Sequence, residues 1–232
     1  MNTITFGELE FELRQSKKRK TIGITVERDG SLILVVPPDA SQDAIAKTVE
    51  KRRLWIYRHL IRKENLNKNQ PTKEYVSGEG FYYLGRSYRL SIINNRINDY
   101  PLNLYQGKFY LSNSALPSAR EHFIAWYRTH LLTYLNNKIT LFNHRVGIEP
   151  KSIKVRELGA RWGSCTENKN LCFHWRVAML PPEIIKYLLV HEMIHLLEPS
   201  HNQLFWKKLE QVIPDYLEKK QWLAYNGVKF NI

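Results

Sequence analysis

Cysteine is scarce in this chain. The two present, Cys165 and Cys172, are too few for a disulfide framework, and their spacing matches neither a zinc ribbon nor a CxxC pair, so reduced thiols are expected. Long apolar runs are also missing. The longest, Leu32 to Val36 and Ile184 to Leu189, fall far short of the ~20 residues needed to cross a bilayer, which excludes a membrane-spanning helix. The N-terminal stretch has no apolar segment and carries Glu8, Glu10 and Glu12, so it reads as neither a secretory signal nor a basic transit peptide. A cytoplasmic protein without a membrane partner is expected. With 43% hydrophobic and 12% aromatic residues, the signature of disorder is absent, and 232 residues suffice for one large domain or two small ones.

Acidic residues are outnumbered. Lys plus Arg total 35 against 22 Asp plus Glu, a formal charge of +13. Such a surface attracts nucleic acid, nucleotides or other acidic macromolecules without specifying which. The densest run is Lys17-Lys18-Arg19-Lys20, with Arg14 before it; a second is Lys51-Arg52-Arg53, followed by Arg58, Arg62 and Lys63. A solvated face is the plain reading of both, with nucleic acid kept as a partner through the basic surface. Nothing in the pattern specifies an oligomer.

Two halves differ in texture. Thr21 to Glu27 and Ser31 to Val36 are β-rich and flank Arg28-Asp29-Gly30, a hairpin signal. Ser41 is placed to cap a helix to about Asn65, and polar residues from Glu64 to Lys73 read as a linker. Strand character returns at Phe81 to Leu84, Tyr88 to Ile93, Leu102 to Tyr105 and Phe109 to Leu111. Helical pattern follows from Ser118 to His144. Strands are expected around Ile153 to Val155 and Leu171 to Ala178, then helices over Pro182 to Leu197, His201 to Val212 and beyond Pro214. The fold class expected is α+β: a β-rich region over 1–115 with one helix, then a catalytic domain over 116–232.

The chemistry lies at His191-Glu192-Met193-Ile194-His195. Helical residues four apart lie one above the other, so the two imidazoles project side by side and can share one metal ion. Glu192 flanks them, placed to reach a water at that metal without being a ligand. The surrounding helix is apolar nearly all round, and polar groups buried there need partners. Catalytic zinc keeps three protein ligands and one open position. His201 follows His195 by six residues, beyond Glu198-Pro199, with Ser200 to Gln203 reading as a capping box that sets His201 at the first helical position. His201 is the preferred third ligand, with Glu198 or Glu210 as substitutes. That spacing occurs in HExxHxxGxxH zincins, whose glycine position here holds Glu198.

The ordered set Arg161-Trp162-Gly163-Ser164-Cys165, Asn170 to Leu180, HExxH, His201 to Phe205-Trp206, Pro214-Asp215-Tyr216 and Trp222-Leu223 resembles the YgjP-like metallopeptidases, also called the domain-of-unknown-function 45 family, relatives of the SprT and WLM zinc peptidases. The resemblance is close over residues 150–225. It implies a zincin-like unit with zinc (Zn2+) held by His191, His195 and His201 and with Glu192 as catalytic base. His174 departs from the pattern, where an asparagine-like residue is expected.

The reaction expected is metal-assisted hydrolysis of a peptide or protein substrate, the metal activating water and Glu192 moving its proton. Arg161, His174 and Tyr216 are candidates by residue type for contacting the substrate or its oxyanion. Leu171 to Ala178 is a candidate sheet edge for an extended peptide. A Ser164 or Cys165 nucleophile is disfavoured for want of an adjacent base. Two other functions stay open: hydrolysis of a nucleotide phosphoanhydride, for which no phosphate-cradling glycine loop is present, and a basic nucleic-acid-binding module with a structural metal, for which no fourth ligand is evident.

Overall fold

The computed structural model describes residues 3–27, 30–67, 72–94 and 100–232, with residues 62, 63 and 65–67 described by backbone alone. The chain divides into two units, Met1–Gln70 and Pro71–Ile232.

The first unit contains β1 (Thr3–Phe6), β2 (Leu9–Gln15), β3 (Gly23–Val26), β4 (Leu32–Val36) and α1 (Gln42–Asn67), the strands ordered β1-β2-β4-β3. β2 pairs parallel with β4, and the other neighbours are antiparallel. Two of these strands are absent from the sequence expectations, although Leu9, Phe11 and Leu13 alternate with Glu8, Glu10 and Glu12, the period-two signal of a half-buried strand. Phe11 and Leu34 are fully buried against Ile45, Val49 and Ile56 of α1. As expected, Ser41 caps α1, its Oγ accepting the Ala44 N–H at 3.2 Å. The hairpin signal falls at Arg28 and Asp29, outside the described residues, as does the middle of the expected linker.

The second unit begins with β5 (Gly80–Tyr83), β6 (Arg86–Ile93), β7 (Leu102–Tyr105) and β8 (Lys108–Ser112), ordered β5-β6-β8-β7. Then come α2 (Ala119–Val146), β9 (Ser152–Arg156), β10 (Gly163–Cys165), β11 (Asn170–His174), α3 (Pro182–Ile194), α4 (Gln203–Val212) and α5 (Tyr216–Asn226). The architecture is α+β. No described helix is long and apolar enough to cross a membrane.

The expected boundary at 115/116 falls inside a single core. Phe81 of β5 stacks on Phe123 of α2 at 4.1 Å, Phe109 of β8 packs on Trp126 of α2, and Tyr127 donates a hydrogen bond to the Tyr82 carbonyl at 2.7 Å. The β5–β6 turn is pinned to the segment before α3: the Leu84 and Gly85 amides donate to the Ala178 and Met179 carbonyls. Gly85 sits at φ +79°, and a Cβ there would come within 2.9 Å of Pro181, so both the turn and the close approach require glycine. The strands therefore join the later helices in one hydrophobic body, and the textural change near residue 115 marks no boundary.

The second sheet of this unit is ordered β10-β11-β9. β11 is its middle strand, antiparallel to β10 and parallel to β9, so Leu171 to Ala178 is not a sheet edge, contrary to expectation. Its last part, Trp175–Met179, is a short 3-10 helix. The edge beside α3 is β10, a strand absent from the sequence expectations.

Candidate metal centre

α3 is buried along nearly its whole length. Ile185, Leu189, Val190, Met193 and Ile194 are at most 1% exposed, which holds the helix rigidly inside the core. Pro182 opens the helix, where its missing N–H costs nothing, and the Pro181 carbonyl accepts from Ile184 and Ile185. On this frame Tyr187, His191 and His195 stand at successive four-residue steps.

The chain leaves α3 through Leu196 to Ser200 and re-enters helix at α4, whose N-cap is Asn202, its side-chain oxygen accepting the Phe205 N–H at 2.8 Å. His201 thus lies just outside the helix, not at its first position, and Ser200 is not the cap. This placement turns the imidazole back over α3. His201 Nε2 stands 3.0 Å from His191 Nε2 and 3.1 Å from His195 Nε2. The three form the cluster of potential metal-ligating side chains found among the described residues.

These separations suit one small cation. Bonds of about 2.0–2.1 Å in a tetrahedron space nitrogen ligands by about 3.3 Å, close to the distances here. Protonation also suits it. Burial, followed by the charges of His195, His201 and Lys220, depresses His191 to about 3, and burial lowers His201 as well. His195 Nδ1 donates to the Glu198 carbonyl at 2.9 Å, the tautomer that leaves its Nε2 lone pair facing the other two rings. Three neutral nitrogen donors facing one another repel unless a cation or protons lie between them. The residues present fit a metal ion.

Aromatic packing fixes the third donor. Trp206 stacks on His201 at 5.4 Å and donates its indole N–H to the His201 carbonyl at 3.2 Å. Tyr216 stacks in turn on Trp206, and Lys220 lies 4.3 Å over the same indole. Tyr216 therefore sits behind Trp206 and His201 and is not part of the cleft wall. Glu198 is engaged elsewhere, its carbonyl by His195 and its carboxylate by Asn202, while Glu210 is exposed on α4.

Glu192 lies on the cleft side, 5% exposed, with its carboxylate against the backbone of Gly163 in β10. A Cβ at position 163 would come within 2.6 Å of Oε1, so only glycine leaves the carboxylate its place. Burial pushes Glu192 up to about 8, with the nearby Arg161 charge pulling the other way. Bound cation charge acts in the same direction as Arg161 and favours the carboxylate.

A cleft of about 660 Å³ opens over these groups. His191, Glu192, His195 and His201 line it with the whole of β10, and Arg161, Lys169, Tyr187 and Leu223 are among its other walls. Sequence reasoning missed Tyr187, although its four-residue spacing from His191 puts it on the same side of α3 as the histidines. Burial raises the Cys165 thiol above its ordinary value, with Glu192 and Cys172 adding to the effect, so it stays protonated and unsuited to nucleophilic attack.

His174 does not line this cleft. It is fully buried, its Nδ1 accepts the Arg176 N–H at 3.1 Å, and its Nε2 meets Glu157 Oε1. Acceptance at Nδ1 makes Nε2–H the donor, so a neutral ring satisfies both partners. Trp175 donates to the other Glu157 oxygen at 2.8 Å.

Three imidazoles converge beside a buried carboxylate at the floor of a cleft edged by a β-strand, an arrangement that suits a single-metal hydrolytic site. A family model described as YgjP-like, metallopeptidase domain, matches residues 20–226, and the chain belongs to that metallopeptidase family. No curated protein matches it. Among solved structures, the crystal structure of the metallopeptidase zymogen of Pyrococcus abyssi abylysin aligns at 20% identity over 39% of this chain and 92% of its own, with a TM-score of 0.36.

Proposed function

We propose that this protein is a cytoplasmic zinc-dependent peptidase with His191, His195 and His201 as metal ligands and Glu192 as general base. The observation that carries the reading is the meeting of three imidazole Nε2 atoms, 3.0 and 3.1 Å from the shared His201 nitrogen, beside a carboxylate held on Gly163. Zinc bound there supplies Lewis-acid chemistry, making water more acidic and a carbonyl carbon more electrophilic.

The chain's own residues do the rest. β10 offers an edge for an extended peptide, which would add as a further strand through main-chain hydrogen bonds and bring its carbonyl over the histidines. Glu192, within the cleft and acceptor-only as a carboxylate, takes a proton from the attacking water as the carbon–oxygen bond forms. It then returns that proton to the departing amine nitrogen as the carbon–nitrogen bond breaks. Arg161, exposed at the cleft, adds positive charge on the side from which Glu192 feels it.

Glu192→Gln tests the reading. The amide keeps the shape and removes the proton acceptor, so cleavage of a quenched fluorescent peptide library should fall by about 10²–10⁴-fold, with zinc content and circular dichroism unchanged. Turnover equal to that of the unmodified protein would remove Glu192 from the base role.

A further inference from the structure

The two basic runs take no part in the metal site, and both lie in the first unit. One borders a cleft there of about 560 Å³, lined by Arg19, Lys20, Asp39, Ala44 and Thr48 among others. A turn closed by the Arg19 N–H on the Ser16 carbonyl presents the run Lys17 to Lys20, all of it exposed.

The helical wall of that cleft continues along α1. At about 100° per residue, Ile45, Val49 and Ile56 fall within about 40° of one another and face the sheet. Ala44, Thr48, Lys51, Trp55 and Arg58 occupy a separate strip about 80° wide, running about 21 Å along the axis. Lys51, Trp55 and Arg58 are exposed in it. Arg19, Lys20, Lys51 and Arg58 carry no ion pair among the described residues; Asp39 is the acid at the cleft.

The neighbouring strip of the same helix has the opposite character. It holds the acids Asp43 and Glu50, which engage Lys47 and Arg53, together with the exposed Leu54 and Ile61. The unpaired cations thus line one strip, while the exposed Leu54 and Ile61 lie among acids whose charge Lys47 and Arg53 offset. A face that binds an anionic bilayer needs apolar residues with an excess of positive charge beside them, which the charge-balanced strip does not supply. Within the cationic strip stands one large ring, Trp55, packed against His59 at 4.2 Å yet 38% exposed.

A row of cations with an exposed aromatic ring suits a polyanion whose bases are free to stack. We propose that the first unit binds single-stranded nucleic acid, with phosphates along Arg19, Lys20, Lys51 and Arg58 and an unpaired base on Trp55. The track holds about four nucleotides. The proposal is independent of the peptidase reading.

Fluorescence anisotropy of the full chain with short labelled DNA and RNA single strands, at several salt concentrations, tests it. Binding should weaken steeply with salt, and Arg19→Ala with Lys20→Ala should reduce the slope of log K against log salt by about 1.4, at about 0.7 per phosphate. Trp55→Ala should weaken binding about 5- to 150-fold and leave that slope unchanged, because stacking releases no counterions. Leu54→Ala with Ile61→Ala, on the neighbouring strip, should change neither. All substituted side chains are exposed, so circular dichroism should be unaltered. Four results would overturn the proposal: no binding of either strand at low salt, a slope indifferent to the Arg19 and Lys20 changes, equal binding of a duplex, or preference for anionic phospholipid vesicles.

Discussion

His174 and His191 are imidazoles of the same unit in opposite circumstances. Around His174 the protein supplies both partners, an N–H for Nδ1 and a carboxylate for Nε2–H, and the ring is complete as a neutral tautomer. Around His191 the nearest polar partner of Nε2 is another imidazole, His201, itself bound in the same way to His195. The first arrangement is closed and stabilises the fold. The second is open, holding donors together at a cost in lone-pair repulsion that a cation among them would offset. A buried histidine is thus read as structural or ligating from what its second nitrogen meets, more than from its burial.

The comparison sharpens first at Gly163. Gly163→Ala should push the Glu192 carboxylate off its seat, lowering kcat on a peptide substrate by about 10²-fold, while zinc content stays unchanged because no ligand is touched. Position 163 has no positive φ, so the loss would report space alone. A kcat equal to that of the unmodified protein would show that the carboxylate does not depend on this contact.

On the closed side, His174→Ala should leave the Arg176 N–H without its acceptor and destabilise the fold by about 1–3 kcal/mol. Urea unfolding measures this. Zinc binding should be kept at one ion per chain, opposite to the effect of removing His191.

A smaller effect concerns acid. Burial alone would raise Glu157, but the hydrogen bonds it accepts from the Trp175 N–H, His174 and the Gly159 N–H outweigh it and hold the carboxyl at about 2. The folded value is below the ordinary 4.5, so the unfolded chain binds the proton first. The contribution of Glu157 is therefore full above about pH 4.5 and lost as pH falls towards about 2. Glu157→Gln should flatten the dependence of the urea midpoint on pH in that window and leave it unchanged above it.

The local parts of this site were legible in the sequence. HExxH works within one helix, where spacing alone sets direction, and His201 is near enough in the chain for a proline-bounded turn to bring it back. The non-local parts were not legible. Glu192 rests on Gly163 across 28 intervening residues, and His174 meets Glu157 across 16. Strand order is hidden for the same reason: Leu171 to His174 is apolar enough for an edge or a centre, and β10, with Gly163, Ser164 and Cys165, carries no strand signature of its own. The strand β2 is a different case, since the alternation of Glu8 to Leu13 announces it. The expected boundary at 115/116 failed because composition changes there while the core does not, as the stack of Phe81 on Phe123 makes plain.

Metal content tests the central claim most directly. Mass spectrometry of the purified chain should give about one zinc per molecule, falling below stoichiometry in His191→Ala, His195→Ala and His201→Ala and remaining at one in His174→Ala. Retention of one zinc by the double variant His191→Ala with His195→Ala would contradict the account.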